Sequence, residues 1–362
     1  MGFSFVINKL FLRAYYNFGN QENSEKKEGE IRWSNLPKPL LGGFSFYLLL
    51  LFSISVYSIL YGNKFINLEI IGVLLSSSCG FLLGWADDGY GTNPILKFVG
   101  QFICANLLTG TGLVITVAEI TMIDYMFTVF WIIGIMNSIN MLDNMDGITG
   151  STSLIICLIA LAIAIDLGGT NAITATMLLA VSGALIGFLC FNVSPAKMYM
   201  GDTGSQFIGV FLGAISIPLL WSHRELGGGM FQIKQFLIPL FVFAIPIFDT
   251  TTVFIRRIAR KQSPFVGGRD HTTHHLVYFG FSERQVMYIF MVANAFYGAI
   301  ALIIYFNYEV LNALSIAGLY IFYIISFFVI QRLYDIGKRR QTITEHRKII
   351  RLKTVRLKNK KA

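Results

Sequence analysis

Ten long apolar stretches dominate this chain, near 44–62, 66–85, 98–118, 122–142, 151–167, 172–194, 205–221, 235–257, 286–306 and 310–332. A bilayer core takes about 20 apolar residues per helix, because backbone N–H and C=O groups must pair within the segment once water is excluded. The runs are continuous and lack the period-2 alternation of a barrel strand. The expected fold is therefore an all-α polytopic membrane protein with about 10 transmembrane helices. At 54% hydrophobic and 14% charged residues, with a mean hydropathy of +0.62, the chain is too apolar for a soluble domain.

The net charge of +9 does not signal nucleic acid, because its placement follows the membrane. With ten crossings both termini share one side. Of the 29 Lys and Arg, all but Lys64, Arg224 and Lys234 fall there, and the positive-inside rule makes that side cytoplasmic. Three regions follow: a cytoplasmic or interfacial segment at 1–43, a transmembrane domain at 44–332, expected to be the catalytic one from the motifs below, and a basic cytoplasmic tail at 333–362. The first sixteen residues, broken by Asn8, Lys9 and Arg13, read as an interfacial helix. The tail suits contact with anionic membrane lipid. The four cysteines sit inside apolar runs without C-x-x-C spacing and read as buried free thiols.

Four polar motifs each follow an even-numbered run and so share the cytoplasmic face. The first is Asp87-Asp88, with Lys97 and Gln101 one helical turn apart just beyond it. Adjacent carboxylates repel and need a cation, a proton or solvent. The second is Asn137-x-x-Asn140-x-x-Asp143-x-x-Asp146-Gly147; its first three polar residues share one helix face, which is costly at membrane depth unless they bind something. The third, Asn192-x-x-Pro195-Ala196-Lys197-x-Tyr199-Met200-Gly201-Asp202-Thr203-Gly204-Ser205, sets an aspartate between glycines before a new helix. That suits close approach of an anion. The fourth is Arg269-Asp270-His271-Thr272-Thr273-His274-His275. Zinc ligation by His271 and His274 lacks Cys partners, and the Arg neighbours favour a cationic cradle for a diphosphate. Plainer roles compete: a solvated helix end for Asp87-Asp88, and helix caps for Asp143–Asp146 and Asp202. Asp249, about 12 Å inside the eighth run if that run is a straight helix, needs a partner.

In order and spacing, residues 32–285 resemble the polyprenyl-phosphate N-acetylhexosamine-1-phosphate transferases of glycosyltransferase family 4. An early P-x-P-x-x-G-G pattern is partly present as Pro37-Lys38-Pro39-Leu40-Leu41-Gly42-Gly43. Two departures stand out. Asn144 replaces the glycine of the family's N-x-x-N-x-x-D-G-x-D-G motif, a change that left-handed backbone angles at Asn would tolerate. The histidines are spaced H-x-x-H-H, which puts more weight on His271 and His274 than on His275. Arg269-Asp270-His271, without an H-H-H-F-E-type loop, is similar to the WecA-like branch.

The resemblance implies transfer of an N-acetylhexosamine-1-phosphate, foremost GlcNAc-1-phosphate, from its UDP-sugar to undecaprenyl phosphate. UMP is released and cell-envelope polysaccharide synthesis begins. UDP-QuiNAc, UDP-FucNAc, UDP-GalNAc and UDP-MurNAc-pentapeptide are the alternative donors. It implies Mg²⁺, with Mn²⁺ as a substitute, a bacterial inner-membrane location, and a homodimer as a compatible assembly. Asp202 would be the metal ligand, with Asp88 or Asp143 beside it. Asp87, Asp88, Asp143, His271 and His274 would be catalytic. Lys97, Asn137, Asn140, Asp146, Asn192, Tyr199, Arg269 and His275 would bind substrate, with Tyr199 stacking on uracil. The rival reading is a transporter or flippase with Asp124, Asp166 and Asp249 in an ion path. Its sites would lie near the midplane of repeated halves, whereas these motifs gather at one face and no repeat is evident.

Overall fold

Pro246 breaks the eighth apolar run. A proline has no N–H and its ring clashes with the carbonyl four residues back, here that of Val242. The run accordingly divides into α9 (Leu237–Val242) and α10 (Ala244–Ala259), which meet at 89°. The 12 Å depth expected for Asp249 on a straight span therefore does not apply. In this computed structural model the described residues are 1–18, 38–62, 67–222, 231–263, 268 and 270–359, with side chains of the last helix described as far as Thr342.

The other helices are α1 (Gly2–Phe18), α2 (Gly42–Tyr61), α3 (Leu68–Tyr90), α4 (Pro94–Gly110), α5 (Thr121–Leu142), α6 (Ile148–Leu167), α7 (Ala172–Asn192), α8 (Gly201–Leu220), α11 (Thr272–Phe279), α12 (Glu283–Phe306) and α13 (Ala313–Asn359). Eight of the described helices are long and apolar enough to cross a membrane, or nine if the bent α9–α10 pair is one span. The third run yields the 17-residue α4, about 26 Å long, which leaves the helix at Thr111. Each of the ten apolar runs contributes helix, the third only as far as Gly110 and the eighth as the bent pair, so eight or nine candidate spans replace the ten expected, and the chain is an all-α, multi-pass membrane protein.

α8 is the central element. It is buried along nearly its whole length, and glycines let its neighbours approach. A Cβ on Gly84 of α3 would strike the Asp202 carbonyl, and one on Gly43 of α2 would strike the backbone of Gly204. One on Gly209 of α8 would lie 2.7 Å from the Met136 Cα of α5. Inside a bilayer the hydrophobic effect gives no drive between helices, so such close van der Waals contact carries the packing.

α1 does not lie free in the interface. Its i, i+4, i+8 residues Ser4, Asn8 and Leu12 are buried, Ser4 Oγ donates to the Ala184 carbonyl of α7 at 2.8 Å, and Phe5 stacks on Phe191. The four cysteines are free, but only Cys104 and Cys157 are buried; Cys79 is half-buried and Cys190 exposed.

Gly84→Ala should lower the melting temperature of the detergent-solubilised protein, by roughly the 1–3 kcal/mol that overpacking costs. Gly134→Ala, which places its Cβ in open space, should not.

Candidate active site

The first turn of α8 leaves backbone N–H groups that its own sequence does not cap, since Met200 offers no side-chain acceptor. Asp88 supplies the cap from α3. Its Oδ1 accepts from the Asp202 amide at 2.9 Å, and its Oδ2 accepts from the Thr203 amide at 2.9 Å and hydroxyl at 2.6 Å. A carboxylate at this positive helix end is stabilising. Gly201 makes room for it: its φ is 71°, and a Cβ there would strike the Asp88 carboxylate. Both Asp88 oxygens accept hydrogen bonds from the start of α8, so Asp88 positions this helix end.

Asp87, one residue earlier, faces the cluster. Its Oδ1 accepts from the Thr92 amide and hydroxyl at 2.8 and 2.5 Å, and its Oδ2 is 2.8 Å from Lys97 Nζ. The same ammonium lies 3.3 Å from Asp202 Oδ2. Asn140 Nδ2 donates to Asp202 Oδ1 and, at 2.8 Å, to Ser205 Oγ. One turn deeper, Gln101 and Asn137 exchange hydrogen bonds of 2.8 and 3.3 Å, and Gln101 also donates to Gln206 at 3.1 Å. The polar stripe of α5 thus divides. Asn137 pairs with Gln101, which ties α4 to α5 and α8 inside the bundle, and Asn140 orients Asp202.

Asp143, at the end of α5, feels the other carboxylates. Desolvation, reinforced by the charges on Asp202, Asp88 and Asp146, pushes its carboxyl up to about 7. Several crowded carboxylates sharing one ammonium suit a hard divalent cation. Mg²⁺ commonly takes only one or two protein carboxylates and completes its shell with phosphate and water. Among the described residues no group of three or more His, Cys, Asp or Glu forms a ready-made cage. The donors present fit a magnesium finished by substrate phosphate better than a closed zinc site, and Asp202 and Asp143 are the carboxylates that could hold it.

Beside this cluster, Asp146 Oδ2 accepts from the Ala196 amide at 2.8 Å and lies 3.8 Å from Lys38 Nζ. Lys38 also sits 4.8 Å above the Tyr199 ring, a cation–π arrangement. Tyr199 is pinned by its backbone to Pro39 and Gly42. Asn192, expected to bind the nucleotide, has a structural role here. It is buried, its Oδ1 accepts from the Gly147 amide at 3.0 Å and its Nδ2 donates to the Met198 carbonyl at 2.9 Å. It holds two motif loops together.

The histidines enter through α11. Asp249 Oδ2 is 2.9 Å from His271 Nδ1, and its Oδ1 accepts from the Thr272 amide at 2.9 Å. Thr273 Oγ1 donates to Asn144 Oδ1 at 2.6 Å, joining α11 to the loop that carries Asp143 and Asp146. Asn144 does not adopt the left-handed angles expected of a glycine substitute; its side chain makes this link instead. His274 is buried next to His271, and desolvation lowers it to about 3, so it is neutral at physiological pH. His275 packs away from its neighbour His274: its ring lies 3.8 Å from that of Tyr334 on α13, and its carbonyl abuts Gly337. Arg269 lies outside the described residues. Arg257 instead fixes the neighbouring Asp270 at 2.7 Å.

Sequence reasoning missed Lys38, Asn144, Thr273 and Arg257. Asn144 alone gave a signal, as a departure from the family pattern. The acidic residues of the transporter reading have structural partners. Asp124 accepts from the Val117 and Ala118 amides at 2.7 and 2.8 Å, Asp166 accepts from the Tyr305 hydroxyl at 2.8 Å, and Asp249 holds α11. They form no relay across the bilayer.

Asp88→Ala should destabilise the protein by the roughly 0.5–2 kcal/mol typical of a lost cap. Asp202→Asn should leave the melting temperature unchanged or higher, since it relieves carboxylate repulsion. Because Asp143 binds its proton more tightly folded than unfolded, metal-free protein should lose stability as pH rises from about 4 to about 7. Asp143→Asn should flatten that decline in a melting-temperature series.

The sequence profile of glycosyl transferase family 4 matches residues 70–220, which carry the first three motifs. The chain is 28% identical over 268 residues to the probable undecaprenyl-phosphate N-acetylglucosaminyl 1-phosphate transferase of Bacillus subtilis, covering 71% of each protein. It is 27% identical over 313 residues to the decaprenyl-phosphate N-acetylglucosaminephosphotransferase of Mycobacterium tuberculosis, covering 78% of this chain and 77% of that one. It is 31% identical over 302 residues to the phospho-N-acetylmuramoyl-pentapeptide-transferase of Desulfitobacterium hafniense, covering 74% and 84%. With motifs from separate helices meeting around Asp202 and matches spanning most of its length, the chain belongs to glycosyl transferase family 4.

Proposed function

We propose that this protein transfers GlcNAc-1-phosphate from UDP-GlcNAc to undecaprenyl phosphate in a magnesium-dependent reaction at the cytoplasmic face of a bacterial inner membrane. The observation that carries the reading is the meeting of Lys97, Asp202, Asn140 and Asp143 at the helix ends of one face. There a water-soluble nucleotide-sugar and a membrane-held lipid phosphate reach the same point. The names of the Bacillus and Mycobacterium relatives support the polyprenyl acceptor and the GlcNAc donor. The excess of Lys and Arg on the motif side supports the orientation.

An oxygen of the lipid phosphate attacks the sugar-bearing phosphorus of the UDP-sugar. The bond from that phosphorus to the oxygen bridging it to UMP breaks, UMP leaves, and a lipid diphosphate-sugar forms. Anions meet, so charge neutralisation is the main task of the site. Lys97 brings a positive charge beside Asp202, and His271 and His274 hold phosphate oxygens. Asp202 and Asp143 would hold Mg²⁺, or Mn²⁺ in its place, which when bound neutralises the diphosphate and stabilises the leaving UMP. The lipid phosphate, with a second pKa of about 6, is mostly dianionic at neutral pH and needs little help from a base. Asp87, whose oxygens are engaged by Thr92 and Lys97, positions that ammonium. This favours direct attack over a covalent aspartyl intermediate. Asp146 and Tyr199, with Lys38 between them, would receive the uridine.

A second donor is favoured by one observation: the 31% identical relative is named for phospho-N-acetylmuramoyl-pentapeptide. UMP release by purified protein with undecaprenyl phosphate separates the two. The expected result is lipid-dependent UMP from UDP-GlcNAc, abolished by EDTA, restored by Mg²⁺ and absent in Asp202→Asn. UMP from UDP-MurNAc-pentapeptide alone would change the donor. Silence of folded protein with every UDP-sugar would overturn the transferase reading.

A further inference from the structure

Asp249 has no part in the reaction above, yet it is a carboxylate buried to 2% exposure on the helix that follows the bend at Phe243. Burying a charge there is costly unless every lone pair is used. Both of its oxygens are spent on one neighbour, the start of α11. Oδ1 accepts from the Thr272 amide at 2.9 Å, and Oδ2 meets His271 Nδ1 at 2.9 Å. The first contact replaces the cap that α11 lacks, since His271 at its N-cap makes no side-chain bond of that kind. The second settles which ring nitrogen carries hydrogen. A carboxylate only accepts, so Nδ1 must donate. The imidazole is then locked in direction as well as in tautomer, with Nε2 the atom left for a ligand. Two further contacts stiffen the mounting: Thr273 bonds Asn144, and His275 packs on Tyr334.

We propose that Asp249 is the positioning residue for His271, holding its ring so that Nε2 is presented to a phosphate oxygen of the substrate. The inference rests on the transferase reading for its kinetic part. The hydrogen bond itself does not. Asp249 acts through His271 and touches no substrate.

The amide isostere tests this well. In Asp249→Asn the side-chain oxygen can still accept from the Thr272 amide, so α11 keeps its cap. The Asn NH₂ then faces Nδ1, which must become an acceptor, and the hydrogen moves to Nε2. Partners that orient metal-ligating histidines are typically worth 10- to 100-fold, and the same orienting geometry holds here. We therefore expect kcat for UMP release to fall by about that factor with the melting temperature preserved. In a His271→Ala background, adding Asp249→Asn should cost nothing more. In ¹⁵N spectra of histidine-labelled protein, with the signal assigned by its loss in His271→Ala, Nδ1 should be protonated in the wild type and unprotonated in Asp249→Asn.

Full activity of Asp249→Asn, or losses that multiply in the double variant, would overturn the proposal. So would an unprotonated Nδ1 in the wild type. If the wild type releases no UMP from any UDP-sugar, the transferase reading fails. The nitrogen spectra would still decide whether Asp249 sets the His271 tautomer.

Discussion

The site depends on how one buried helix begins. α8 starts at a glycine in a left-handed conformation, with no acceptor of its own for its first amides, and a carboxylate from α3 fills that need. The interaction is local chemistry with a long reach. It fixes the depth of α3 against α8, sets Asp87 one residue from the cap, and points Asp202 toward Lys97 and Asn140. Glycines at 43, 84 and 201 give the backbones room for this approach. In a bilayer, where apolar faces gain little by leaving lipid, a capped helix end and close glycine contacts are what hold such a junction.

Around that anchor the polar groups sort by charge. Carboxylates from α3, α5 and α8 gather with one lysine among them, so the cluster is poised for a further cation and phosphate. The histidine helix stands opposite, mounted on a different part of the bundle by Asp249, Asn144 and Tyr334. The site thus has two parts. The Asn144–Thr273 bond joins them across a boundary between motifs far apart in sequence, and the buried Asn192 does the same for the loops at Gly147 and Met198.

The fold class was legible because membrane spans announce themselves in continuous apolar runs. The break at Phe243 could have been read from Pro246, whereas the packing of α1 on α7 shows in contacts such as Ser4 with Ala184 and Phe5 with Phe191 that composition does not weigh. Gathering of the motifs on one face followed from counting crossings. Division of labour within them did not. Asp87 and Asp88 look alike in sequence, and only the position of the α8 amides makes one a cap. Asn192 reads as a ligand until its donors and acceptors are traced to Gly147 and Met198. His275 differs from His274 by one residue, yet on α11 that is enough to turn it toward Tyr334.

The central claim is that this cluster joins a sugar-bearing phosphate to a membrane lipid. Its most direct test is to follow the phosphorus. Purified protein would be given undecaprenyl phosphate, Mg²⁺ and UDP-GlcNAc labelled with ³²P at the sugar-bearing phosphate, and the organic and aqueous phases would be separated. The account predicts that the label moves into the organic phase as lipid diphosphate-sugar, in equal measure with unlabelled UMP. Label that remains in water as sugar phosphate or UDP-sugar, with the protein folded, would contradict it.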